Sequence, residues 1–166
     1  TLLKADGRAL CVECHEDPAK RAGAALVHAP AADDCTSCHQ PHGTGRKAML
    51  TAPQGDLCAG CHAEVGARSG LPVLHAPVAQ GACASCHEPH GSDNEKLTRS
   101  ADGSMCLACH DPIAKKLAAP AGVHPPAAKK DCLRCHAPHA SAEAGLMAKP
   151  TRDVCRPCHA TLEKAV

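Results

Sequence analysis

The stretch Leu74-His75-Ala76-Pro77, continued by Cys83-Ala84-Ser85-Cys86-His87 and Glu88-Pro89-His90-Gly91, decides how the whole chain is read. Two cysteines are separated by two residues, a His follows at once, and a further His sits beside Pro on either side. The pattern recurs upstream, where Val27-His28-Ala29-Pro30 precedes Cys35-Thr36-Ser37-Cys38-His39 and Gln40-Pro41-His42-Gly43. Downstream, Val123-His124-Pro125-Pro126 precedes Cys132-Leu133-Arg134-Cys135-His136 and Ala137-Pro138-His139-Ala140. Four more C-x-x-C-H motifs stand at Cys11-Val12-Glu13-Cys14-His15, Cys58-Ala59-Gly60-Cys61-His62, Cys106-Leu107-Ala108-Cys109-His110 and Cys155-Arg156-Pro157-Cys158-His159. Together the seven motifs use all fourteen cysteines.

Internal repetition of this kind organises the 166 residues as one domain of stacked units. Complete units run over 2–43, 50–91 and 97–140, and a truncated unit covers 146–166. Each complete unit carries a first motif, a helix-like stretch, His-x-Pro, a second motif and x-Pro-His. The truncated unit holds a first motif alone. Helices are expected over 17–26, 63–69, 111–119 and 160–165, with Asp17-Pro18 and Asp111-Pro112 as starts. The fold class expected is mostly irregular, with short α-helices and little or no β-structure, drawn out as an elongated array.

The composition does not describe an ordinary core. There is no Phe, Trp or Tyr, and much of the 44% hydrophobic fraction is Ala and Cys. Pro (14) and Gly (13) break long elements. Such a chain buries too little apolar surface to offset its ordering entropy. Either the chain is disordered or something other than protein supplies the interior, and the cysteines and histidines decide which. Disulfides or zinc are the plain alternatives for so many cysteines. Neither needs a His at one fixed offset seven times, and an odd number of clusters suits zinc poorly. C-x-x-C-H is the attachment signature of c-type haem. The two sulfurs form thioethers with the two vinyl groups of one porphyrin edge, and the adjacent His reaches the iron from the proximal side. Cys11, Cys14, Cys35, Cys38, Cys58, Cys61, Cys83, Cys86, Cys106, Cys109, Cys132, Cys135, Cys155 and Cys158 are thus expected to hold seven haem c groups, which form the core.

With alternate motifs followed by x-Pro-His and preceded by His-x-Pro, nearly the whole chain resembles the doubled-CXXCH family of multihaem cytochromes. That resemblance implies electron transfer, haem attachment outside the cytoplasmic membrane and iron held by two histidines. Relatives of this kind include periplasmic carriers, conduits sheathed by outer-membrane porins and subunits of extracellular filaments. The truncated last unit departs from the pattern.

Thirteen His remain to be shared among the irons. His15, His39, His62, His87, His110, His136 and His159 are proximal. His28, His42, His75, His90, His124 and His139 fall at two repeated offsets and are expected as distal ligands, leaving one haem short. His42 lies three residues past His39 and cannot reach the far face of the same ring. If units are equivalent, His28, His75 and His124 serve the haems of His39, His87 and His136. His42, His90 and His139 then serve first-motif haems, of their own unit or the next. The short haem would be that of His159 or of His15, with His159 the simpler choice. Met147 could replace the missing ligand there, although packing in the slot of Leu50 is the favoured role. Near His15 the amine of Thr1 is the alternative.

The function expected is electron transfer, not catalysis, because iron with two His ligands has no open position. A reductase using the one ligand-short haem is the alternative. Redox proteins, identical subunits in a filament and an outer-membrane porin are the partners considered. A net charge of +1 and no basic run give no footprint for nucleic acid. No stretch has the ~20 apolar residues of a membrane helix. The location expected is periplasmic or extracellular, with a targeting segment removed from ahead of Thr1 or lying outside the sequence.

Overall fold

The computed structural model describes residues 3–5, 7–17, 25–68, 70–119 and 121–160. Short helices on an irregular chain make up the fold. They are α1 (Gly7–Cys11), α2 (Ala29–Asp33), α3 (Gln54–Ala59), α4 (Ala63–Arg68), α5 (Ala76–Ala79), α6 (Ser104–Leu107), α7 (Asp111–Leu117), α8 (Pro125–Ala128) and α9 (Thr151–Cys155). Three 3-10 turns lie within second motifs, at Cys35–Ser37, Cys83–Ser85 and Cys132–Arg134. Among the described residues β-structure consists of two-residue strands, β1 (Leu26–Val27), β2 (Val73–Leu74), β3 (Gly91–Ser92) and β4 (Ala140–Ser141), and isolated bridges. The mostly irregular fold class expected from the sequence is what forms.

Local chemistry explains where helices start. Prolines stand within the first two positions of α2, α5, α7 and α8, where a missing N–H leaves no bond unmade. His28, His75 and His124 cap α2, α5 and α8, so each His-x-Pro or His-Pro-Pro is a helix start. The helices expected over 63–69 and 111–119 form as α4 and α7. Asp111 is the first residue of α7, not its cap; His110 takes that place. Of the helix expected over 17–26, residues 18–24 lie outside the described residues and Leu26 is in β1. Residues 161–165 of the last one also lie outside them.

The chain folds as two compact units. One comprises Thr1–Cys61 with Gly81–Ala101, the other His62–Gln80 with Asp102–Val166. In the first, β1 pairs antiparallel with β3, Leu26 opposite Ser92 and Val27 opposite Gly91. In the second, β2 pairs with β4, Val73 opposite Ser141 and Leu74 opposite Ala140. Segments more than sixty residues apart are thereby joined, and neither unit coincides with a sequence repeat.

Apolar packing is scarce. Among the described residues Ala140 is the buried hydrophobic side chain, accompanied by Ser92, Ser141 and Gly103. Leu3, Leu26, Val27, Met49, Leu71, Ile113 and Leu133 are exposed. Protein atoms alone do not provide a core at the density of a folded interior. No helix among the described residues is long and apolar enough to cross a membrane.

Candidate haem attachment and iron-ligand sites

Every motif contains one helical turn. The N–H of the motif His bonds the carbonyl of the first Cys four residues back, at 2.9 Å for His15 and His39, 3.1 Å for His87 and His110, and 3.0 Å for His136 and His159. The second Cys bonds the same carbonyl at 3.2–3.3 Å. This turn gathers two sulfurs and an imidazole within five residues. First motifs achieve it as the last turn of α1, α3, α6 and α9. Second motifs achieve it as an isolated 3-10 turn.

Beyond the His the two kinds diverge. In second motifs the chain doubles back so that His39, His87 and His136 lie opposite Leu50, Thr98 and Met147 in antiparallel bridges. Their Nδ1 atoms lie 2.8 Å from the Ala48 carbonyl, 2.9 Å from that of Lys96 and 3.0 Å from that of Gly145. A carbonyl can only accept, so Nδ1 carries the proton and Nε2 is left as a ligand atom. The three acceptor residues all have left-handed backbones, at φ 55°, 57° and 66°. Ser92 Oγ donates to the Thr98 carbonyl at 2.6 Å and accepts from Asn94 N–H at 3.0 Å, closing this loop in the middle repeat. Ser141 does the same with Met147 and Glu143. Met147 holds the register of Leu50, the role favoured from sequence.

The His-x-Pro segments are held by distant x-Pro-His segments. His28 N–H donates to the His90 carbonyl at 2.9 Å, and His28 Nδ1 to the Pro89 carbonyl at 2.8 Å. His75 repeats this with the His139 and Pro138 carbonyls, at 3.0 and 2.9 Å. The clasp extends the β1–β3 and β2–β4 pairs.

Within a repeat, the first cysteines of the two motifs are neighbours. Burial raises the Cys58 thiol to about 11, and the charge and hydrogen bond of Cys83 add to it. Cys35 is raised by burial and then by Cys11. In the second unit a Cβ on Gly103 would lie 2.5 Å from Cys132 Sγ and 2.4 Å from the Lys130 carbonyl. Gly55 meets Gly81 Cα in the same way, at 2.8 Å. Glycine three residues ahead of the first Cys thus lets the second motif of the repeat close in.

Among the described residues imidazole rings approach one another in pairs, two of them stacked and the His39–His90 pair tilted by 42°. Ring centres are 6.0 Å apart for His39 and His90, 6.1 Å for His75 and His110, and 6.0 Å for His124 and His159. This corrects the pairing expected from sequence. His75 faces His110, not His87; His124 faces His159, not His136; His90 faces the second-motif His39 and not a first-motif His. His159, favoured as the one short of a partner, has one. The sequence reading gave each His-x-Pro to its own repeat, whereas the clasp joins His28 and His75 to the following repeat. Among the described residues no three His, Cys, Asp or Glu converge as a metal cage. A ring pair supplies two ligands, and the porphyrin would supply the rest.

A family model described as the doubled CXXCH motif matches residues 28–67, 75–115 and 124–164. The matched repeat opens on His-x-Pro and runs through the next first motif. It therefore keeps His75 with His110, and His124 with His159, inside one repeat. No curated protein matches the chain.

Proposed function

From the premise that this chain belongs to the doubled CXXCH family of multihaem c-type cytochromes, we propose that it holds seven haems, mostly between two histidines, and relays electrons among them. The family carries covalent haem c and electron transfer. The number seven and the ligand pairs are the reading offered here. One observation supports it above the others, the 6.0–6.1 Å spacing of three imidazole pairs. Two metal–imidazole bonds of about 2.0–2.1 Å, with half a ring on each side, fill about 6 Å. The residues present therefore fit an iron between each pair.

Haem iron supplies a one-electron change without bond rearrangement at the protein. The chain's own residues do the rest. Cys pairs tether each ring, carbonyls hold the Nδ1 atoms of His28, His39, His75, His87 and His136 so that Nε2 is the ligand atom, and Gly55 and Gly103 allow neighbouring motifs to approach. Attachment of this kind is made outside the cytoplasmic membrane, so a periplasmic or extracellular location follows. Redox proteins, further copies of the chain or a porin sheath are the partners that suit it. Mass spectrometry of the mature protein tests the count: the expected mass is 17.0 kDa for the chain plus seven haems. The bare chain mass, or a spectrum without a Soret band, ends the reading.

A second reading, a reductase with one open iron, has one observation in its favour. Among the described residues no imidazole ring faces His15 or His136. A high-spin signal and cyanide binding at one haem would support it, and seven low-spin signals would remove it.

A further inference from the structure

The three facing pairs differ in charge and in how their rings are held. In the eleven residues ending on the proximal His, 29–39 hold Asp33 and Asp34, a charge of −2 with His neutral. Residues 100–110 hold Asp102 alone, −1. Residues 149–159 hold Lys149, Arg152, Arg156 and Asp153, +2. Lys149, Arg152 and Arg156 are exposed. Arg152 stands three residues before Cys155, the place taken by Gly55 and Gly103 in the middle repeats.

The hydrogen bonds set the third pair apart from the other two. His39, of the first pair, donates Nδ1–H to the Ala48 carbonyl at 2.8 Å. His75, of the second, donates to the Pro138 carbonyl at 2.9 Å. In the third pair neither His124 nor His159 is held by a carbonyl among the described residues. A carbonyl accepting from Nδ1 makes an imidazole a stronger donor at Nε2, which favours the ferric state. Without it that preference weakens. Nearby cations oppose the more positive ferric state directly, within a Debye length of about 8–10 Å.

We propose that the haem tethered by Cys155 and Cys158, between His159 and His124, has the highest reduction potential of these three, so that electrons collect at it. The proposal rests on the haem reading above. Its test compares three double variants, C35A/C38A, C106A/C109A and C155A/C158A, each lacking one haem by mass. In potentiometric titration, the component lost from C155A/C158A is expected to lie above those lost from the other two. If it lies below either, the assignment is overturned. Should a double variant fail to mature, Arg152→Gln with Arg156→Gln on the full haem complement decides instead. A component at the high end is expected to move down while the rest hold. A shift confined to low components, or none, overturns it. The mass of the unaltered protein separates the failures: a bare chain sinks the haem reading, whereas a full complement titrating in another order sinks the ranking alone.

Discussion

First and second motifs share five residues and one helical turn, yet the protein builds them in two ways. A first motif is the end of a helix, as Cys11 ends α1 and Cys155 ends α9, and the His of the two middle ones leads into the next segment, α4 or α7. A second motif is a lone 3-10 turn whose His is gripped by a loop nine residues on. The motif itself does not determine its surroundings; the residues that follow do. Pro-His with Gly or Ala after the second motif forbids a continuing helix and turns the chain back. The helix-forming run after a first motif, such as Asp111-Pro112-Ile113-Ala114, lets it proceed.

The largest expected effect removes the contrast altogether. With haem attachment blocked, both kinds of motif should lose their structure, since so few described side chains are buried. Far-UV circular dichroism of the haem-free chain should show a disordered polypeptide. A native-like spectrum would mean that the loops of the second motifs stand without their cofactor.

Steric tests come next. Gly103→Val pushes a side chain against Cys132 of the second motif, Gly55→Val pushes one against Gly81 just ahead of a second motif, and each should destabilise by about 1–3 kcal/mol. Gly60→Ala is the control, because its Cβ would lie 3.4 Å from the nearest carbonyl at an ordinary helical φ of −57°. That substitution should leave the denaturation midpoint unchanged or raise it slightly.

Smaller changes probe the loop that grips the proximal His. Gly145→Ala should lose about 1 kcal/mol, because the backbone there is left-handed. Lys96→Gly, at φ 57°, should gain a few tenths, the relief of strain being offset by added freedom of the unfolded chain. Thermal melts of the holoprotein measure both. Equal effects at the two positions would show that the loops are not equivalent.

The smallest effect concerns Asp34, which caps the 3-10 turn of the first repeat. Its carboxylate accepts from the Thr36 N–H at 2.9 Å and hydroxyl at 2.8 Å, and these bonds hold it below its ordinary value of 3.8. The stability it adds is present above that value and disappears as pH falls through the lower folded one. Asp34→Asn should flatten the acid limb of a pH–stability curve by lowering stability slightly at neutral pH while leaving it nearly unchanged at the acid end.

The attachment chemistry and the repeat were legible in the sequence because both are local. Cys, Cys and His within five residues need no tertiary information, and neither does Asp111-Pro112 at a helix start. The ring pairs were not legible. His75, which stacks on His110, is seated by a clasp made with Pro138 and His139, which no spacing near His75 reveals. The left-handed loops carried a glycine signal only at Gly145. Ala48 and Lys96 adopt that backbone because the bridges from His39 to Leu50 and from His87 to Thr98 demand it, against their own preference. Gly103 carries no local signal, because its role comes from Cys132, twenty-nine residues on, packing against it.

The bond from His28 to the Pro89 carbonyl spans 61 residues, and that from His75 to Pro138 spans 63. A ribosome or a translocation channel delivers the amino end first. His28 therefore waits, unlatched, until Pro89 has emerged, and His75 waits in turn for Pro138. During each interval the cysteines already delivered remain open to the attachment machinery. Closure then proceeds from front to back as the polypeptide lengthens, so the order of synthesis becomes the order of locking.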